Sequence, residues 1–317
     1  MYRIIIKKKL LLILILFTAI NIPIFAVEDP IRSALDSIAK KQYSAHLDAI
    51  IGNFTWKETW IGTGYSNVIR KLVEEAILKS DTYSIIRHAG PVFNNPEAAL
   101  LMDPDSWGGA GYMIYGTYLL EGNSIKVNIN VFSFIFNKLA GQREIILPLT
   151  TIPSGVEVLP KNYQVLLNID NAIGNLYGES NLDIYVTTSR GDGGVYHNNE
   201  ELVLYVLASE DCYIKIFHID VTGNTTLVFP NKYEVNNFLP GGEFLKFPGE
   251  TAPFKFRLTA PYGAEYIKVV ASTGQFTDKG KAFKNLGMAT RGLILEEVKE
   301  EDQEIMAEAK VSYTILE

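Results

Sequence analysis

Cysteine is almost absent from this 317-residue chain: Cys212 stands alone, so no intramolecular disulfide can form. Stability must then come from buried apolar surface, and a chain of this length buries roughly three quarters of the surface its unfolded form exposes. No cysteine stands directly after the expected cleavage site at Ala26, which removes the acylated anchor, so a lipoprotein is not expected. Histidine is scarce as well. His46, His88, His197 and His218 are scattered, without an HExxH motif or Cys/His pairing, so neither a metal site nor a cofactor is expected. There is no GxSxG, and Ser37-Ile38-Ala39-Lys40 spells SxxK without the SDN and KTG elements that would give it a nucleophile's role. No apolar run beyond the leader reaches spanning length, so no transmembrane segment is expected after cleavage.

What is present begins with a three-part start. Met1 to Lys9 carries Arg3, Lys7, Lys8 and Lys9, Leu10 to Ile20 is almost wholly apolar, and Pro23-Ile24-Phe25-Ala26 ends on a small residue. That layout predicts a signal peptide over residues 1–26 and a periplasmic or secreted mature protein. Cleavage leaves 25 basic against 36 acidic residues, a balance of −11 that repels phosphate backbones and argues against nucleic acid as a partner.

The periodicity predicts an α+β protein of two domains. Asp29-Pro30 caps a helix within residues 27–46, with Ile31, Ala34, Leu35, Ile38 and Ala39 on one face. An α/β domain follows at 47–178. There, strand Leu47 to Phe54, a helix ending at Lys79 and strand Tyr83 to Arg87 form a βαβ unit with parallel strands. Tyr112 to Leu120, Lys126 to Phe134 and Glu144 to Leu149 add an antiparallel half, giving a mixed sheet, and a helix from Tyr163 to Tyr177 closes the domain. After a polar break at Gly178 to Asn181, short strands with turns every 8–12 residues predict an antiparallel β-sandwich over 182–317. Its tail holds the acidic run Glu296 to Glu304 and an alternating last strand through Val311, Tyr313 and Ile315.

Candidate sites are few. Gly62-Thr63-Gly64 and Gly108-Gly109-Ala110-Gly111 lack the features of a phosphate loop. Asp103 and Asp105 read as a turn, and Arg190-Gly191-Asp192 as a hairpin tip. The strongest candidate is topological. In an open α/β sheet ligands meet the loops beyond the carboxyl ends of parallel strands. Trp56 and Trp60 follow the first strand and Trp107 follows the second, so the three rings are expected to converge on one edge that suits a protein or a glycan.

The C-terminal half carries an ordered set of motifs: Tyr196-His197-Asn198-Asn199-Glu200-Glu201-Leu202, Ser209-Glu210-Asp211-Cys212-Tyr213, Asp220-Val221-Thr222-Gly223-Asn224, and Leu227-Val228-Phe229-Pro230-Asn231-Lys232-Tyr233 with Asn236-Asn237-Phe238. In content and spacing, residues 195–273 resemble domain-of-unknown-function family 4384. The resemblance implies an immunoglobulin-like sandwich module of bacterial envelope proteins, with Asp211, Phe229, Pro230, Asn231, Tyr233, Asn237 and Phe238 forming its motif loop. In the first domain, Ile51-Gly52-Asn53-Phe54 and Tyr112-Met113-Ile114-Tyr115-Gly116-Thr117-Tyr118 resemble α/β domains of periplasmic assembly proteins. These are the amino-terminal domain of the Tol-Pal propeller protein, the flagellar outer-membrane assembly lipoproteins and the lipoprotein activators of penicillin-binding proteins. The expected function is accordingly non-enzymatic, with an envelope protein as partner. Peptidoglycan bound through the tryptophan edge is the alternative, and an uncharacterised hydrolase the third reading.

Overall fold

The computed structural model describes residues 29–42, 46–57, 61–87, 108–172, 181–276 and 305–317. The leader, His88, Asp103, Asp105, Trp60, Trp107 and the acidic run at 296–304 lie outside them. Among the described residues no helix is long and apolar enough to cross a membrane.

Helix α1 (Pro30–Ala39) starts where the sequence predicts, because the Asp29 carboxylate accepts from the amides of Ile31 and Arg32 at 3.1 and 3.2 Å. Next come β1 (Leu47–Trp56), α2 (Gly64–Leu78), β2 (Tyr83–Ile85), β3 (Tyr112–Glu121), β4 (Ser124–Ser133) and β5 (Lys138–Pro148). They make one five-stranded sheet in the order β2-β1-β3-β4-β5. β1 runs parallel to β2 and β3, and the rest is antiparallel, so the sheet is mixed. Helices α1 and α2 cover one face, burying Leu35, Ile38, Ile69 and Val73 against Leu47, Ala49, Phe54, Val127 and Ile129. β5 begins six residues earlier than its apolar pattern suggests. The reason is Asn137, whose φ of 49° turns the chain at once, so that Lys138 to Arg143 pair with β4 instead of forming a loop.

The second half contains α3 (Tyr163–Ala172) and strands β6 (Ile184–Thr188), β7 (Gly194–His197), β8 (Glu201–Leu202), β9 (Leu204–Ala208), β10 (Cys212–Ile219), β11 (Thr225–Phe229), β12 (Phe238–Leu239), β13 (Phe244–Phe247), β14 (Phe256–Arg257), β15 (Gly263–Ser272) and β16 (Met306–Leu316). The larger sheet has the order β11-β10-β15-β16-β7, with β12 also on β10. The smaller is β13-β9-β6, and β14 pairs with β8. Ile184, Val186, Leu204 and Val206 share one core with Ile214, Ile216, Ile267, Val269 and Val311, which makes this half a two-sheet sandwich. The sandwich departs from the all-antiparallel expectation at one edge, where β16 lies parallel to β7. A parallel pair needs a long connection, and here the rest of the sandwich intervenes between the two strands.

Helix α3 also departs from expectation. Rather than closing the α/β domain, it straddles both halves. Tyr163 packs on the first core beside Trp56, whereas Leu166 and Ile169 bury against Ile219, Ala264 and Tyr266 of the sandwich. Hydrogen bonds between side chains and backbone lock the same joint. The Asn162 amide donates to the carbonyls of Val221 and Ala264 at 3.1 and 2.9 Å, while its oxygen accepts from the Ala264 N–H. Asn53 Nδ2 donates to the carbonyls of Arg190 and Asp192, and Thr314 Oγ1 donates to the Gly62 carbonyl. Gly62 fits only because it has no side chain: a Cβ there would sit 1.9 Å from the Gly193 carbonyl oxygen.

Candidate functional site

Three adjacent strands of the larger sheet bring a polar group to the inner face of the sandwich. Tyr313 on β16 stands directly opposite Glu265 on β15. His218 on β10 pairs with Ile267, two residues along β15 from Glu265, which makes His218 and Glu265 diagonal neighbours on one face. Glu265 is only 5% exposed. Its Oε2 accepts from the Tyr313 hydroxyl at 2.6 Å and from His218 Nε2 at 2.8 Å. A carboxylate only accepts, so the histidine proton sits on Nε2. Burial first, then the neighbouring Glu265 charge, pushes the Tyr313 hydroxyl well above the usual phenol range, so it stays a donor.

These three side chains line a cavity of about 270 Å3 at the end of the sandwich. Its walls include Leu204, Val228, Phe256 and Ile267, and its rim includes Asp220, Arg257 and Thr259. The rim charges are already engaged. Asp220 accepts from Thr222 and Asn224 in its own turn. Burial alone would raise its carboxyl, but those donors outweigh it and hold the group below the ordinary range. Arg257 donates to Asn199 and pairs with Glu201. A larger groove of about 790 Å3 borders β2 and includes Arg70 and Glu74, which pair with each other. Among the described residues no three His, Cys, Asp or Glu side chains gather as metal ligands do.

The second candidate is a surface. β11 is an edge strand of the larger sheet and β13 an edge strand of the smaller, and the chain from one to the other exposes Leu227, Tyr233, Val235, Phe238 and Phe244. Tyr233 is 54% exposed and Val235 72%. The motif residues build this segment. The Asn231 oxygen accepts from the amides of Tyr233 and Glu234 at 2.8 and 3.0 Å, and its Nδ2 donates to the Val228 carbonyl. Asn237 donates to the Ile214 carbonyl, and Asp211 accepts from the Gly241 amide. Phe229, joined to Pro230 by a cis peptide bond, is buried against Phe247. Tyr233 stacks on Phe254 at 5.4 Å and has Lys232 Nζ 4.6 Å from its ring centroid, and Phe238 meets Tyr213 edge-on. The motif loop is therefore a braced scaffold that carries half-exposed rings.

The tryptophan edge is not seen as expected. Trp56 is 4% exposed and packs edge-on against Tyr118 and Tyr163, because it continues the inward alternation of Phe54 along β1. Trp60 and Trp107 lie outside the described residues. The short motifs resolve into structure. Ser37 donates to the Ala34 carbonyl and accepts from Arg143, and Thr63 caps α2 with Ser66 and bonds Tyr118. Arg190-Gly191-Asp192 is tied into the joint rather than displayed. Arg190 pairs with Glu200 and covers Tyr196, while Asp192 accepts from Thr187. Enclosure of the carboxyl group, only partly relieved by that bond, raises Asp192 to about 7. Burial, then Asp211, likewise lifts the Cys212 thiol to about 11.

Comparison with solved structures finds likenesses of low identity. The LpoB C-terminal domain from Salmonella enterica is 9% identical, covering 38% of this chain and 96% of that one at a TM-score of 0.27. The LpoB C-terminal domain from Escherichia coli is 8% identical, covering 37% and 97% at 0.28. TolB from Acinetobacter baumannii is 10% identical, covering 73% and 56% at 0.22. A search of curated proteins found no match. The family model described as Domain of unknown function (DUF4384) matches residues 195–275, the stretch from β7 through β15 that holds the aromatic segment and the cavity lining apart from Tyr313 and Ile315.

Proposed function

We propose that this is an exported protein of the cell envelope that acts by binding a protein partner, without chemistry of its own. The observation that carries the reading is the apolar segment between β11 and β13. It leaves five large apolar side chains on the surface next to two sheet edges, within the family-matched stretch. Exposed aromatic rings braced by a hydrogen-bonded loop have little rotamer freedom left to lose, which favours association. An open sheet edge adds unpaired backbone groups to the same surface. The joint between the halves suits a platform that holds this surface at a set orientation. The basic and apolar leader supports export, and the periplasm is the compartment proposed.

The test is capture from solubilised envelope with the mature protein as bait. A doubly substituted Tyr233→Glu/Val235→Glu protein that melts like the parent should lose the captured partner. Retention of the same partner at the same yield would overturn the proposal.

A further inference from the structure

The cavity at the end of the sandwich has the chemistry of a receptor for a small cation. Glu265 is buried, and both protein donors that reach it, His218 Nε2 and the Tyr313 hydroxyl, go to a single oxygen, Oε2. Among the described residues no donor reaches Oε1, yet Glu265 lines the cavity. That oxygen is free to accept from a ligand in the cavity, and a charged donor makes the stronger bond to a carboxylate. His218 already bonds Oε2 and counters the charge only when protonated, and no other basic side chain in the lining is left to do so. Arg257 is committed to Asn199 and Glu201, and Asp220 adds a second negative charge at the rim. In its neutral form His218 offers one more acceptor, Nδ1. The remaining lining is apolar, supplied by Leu202, Leu204, Val228, Phe256, Ile267 and Ile315. A volume of about 270 Å3 admits a body of several carbon atoms.

We propose that this cavity binds a primary alkylammonium, with the charged head on Glu265 and the carbon chain against the apolar wall. Anions are disfavoured by the two carboxylates. A neutral alcohol of equal length gains the wall but not the charge-assisted bond, which is the stronger kind.

The experiment is calorimetric titration of the whole mature protein with n-hexylammonium and with 1-hexanol, repeated on Glu265→Gln and on Thr259→Trp. Thr259→Trp narrows the mouth without touching the bonds of His218 and Tyr313 to Glu265. The parent should bind the ammonium about ten-fold tighter than the alcohol. Glu265→Gln should erase that preference while keeping alcohol binding, and Thr259→Trp should weaken both ligands. Should Glu265→Gln fail to fold, the parent's preference together with the Thr259→Trp result decides the matter. Equal binding of the two ligands by the parent, a preference that survives in Glu265→Gln, or undiminished binding to Thr259→Trp would each overturn the proposal.

Discussion

Replacing Asp192 by asparagine should stabilise the protein at neutral and alkaline pH. The side chain sits at the joint between the two halves, where Thr187 Oγ1 donates to its Oδ1 at 2.7 Å and Asn53 donates to its backbone carbonyl. Enclosure raises the carboxyl from 3.8 to about 7. The residue keeps some exposed surface, so solvent relaxation reduces the penalty. A shift of about three units at about 1.36 kcal/mol each sets an upper limit of about 4 kcal/mol, and half of that is a reasonable lower figure. The sign follows from proton binding. Between pH 4 and 7 the folded protein holds a proton that the unfolded chain has released, so stability falls as pH rises through that window and levels off above 7. Asparagine keeps the acceptor for Thr187 and carries no charge. Urea unfolding at pH 4, 6 and 8 should therefore show Asp192→Asn and the parent nearly equal at pH 4, with the variant more stable by about 2–4 kcal/mol at pH 8. Parallel pH curves, or a variant weaker than the parent at pH 8, would refute the burial argument.

Two further substitutions probe the joint and the motif loop. Gly62→Ala drives a Cβ to within 1.9 Å of the Gly193 carbonyl and 2.9 Å of Val195 Cγ2, so the halves must separate locally. Thermal unfolding should show a loss of about 4–8 °C, and an unchanged midpoint would deny the close approach. Asn231→Ala removes two bonds to loop amides and one to the Val228 carbonyl, costing about 1–3 kcal/mol by urea titration. A cost near zero would mean that Asn231 does not brace the loop.

Most of the regular elements were readable because their signals are local. The Asp29 cap with Pro30, the stripe of α2 and the unbroken apolar run of β1 need only neighbouring residues to be seen. The α+β organisation follows from them. What escaped depends on distant pairing. His218, Glu265 and Tyr313 are separated by 47 and 48 residues along the chain and meet only through the register of β10, β15 and β16. A lone strand histidine gives no hint of that meeting, although the alternation of β10 does put His218 on the same face as Ile214 and Ile216. The parallel contact of β7 with β16 and the docking of α3 on the sandwich are equally non-local. Trp56 was a different kind of error. Its ring suggested an exposed edge, but it stands two residues after Phe54 on a continuing strand, and period two turns it inward. The bracing of the motif loop by Asn231 and Asn237, and the exposure of Tyr233 and Phe238, are visible only in the fold.

The most direct test of partner binding is site-specific photocrosslinking in the native cell. A photoreactive residue is placed at Tyr233 and, as a control, at exposed Lys71 on α2, on the other domain. The account predicts one discrete crosslinked envelope protein from position 233 and none from position 71. Adducts of equal identity and yield from both positions, or no adduct from 233, would contradict it.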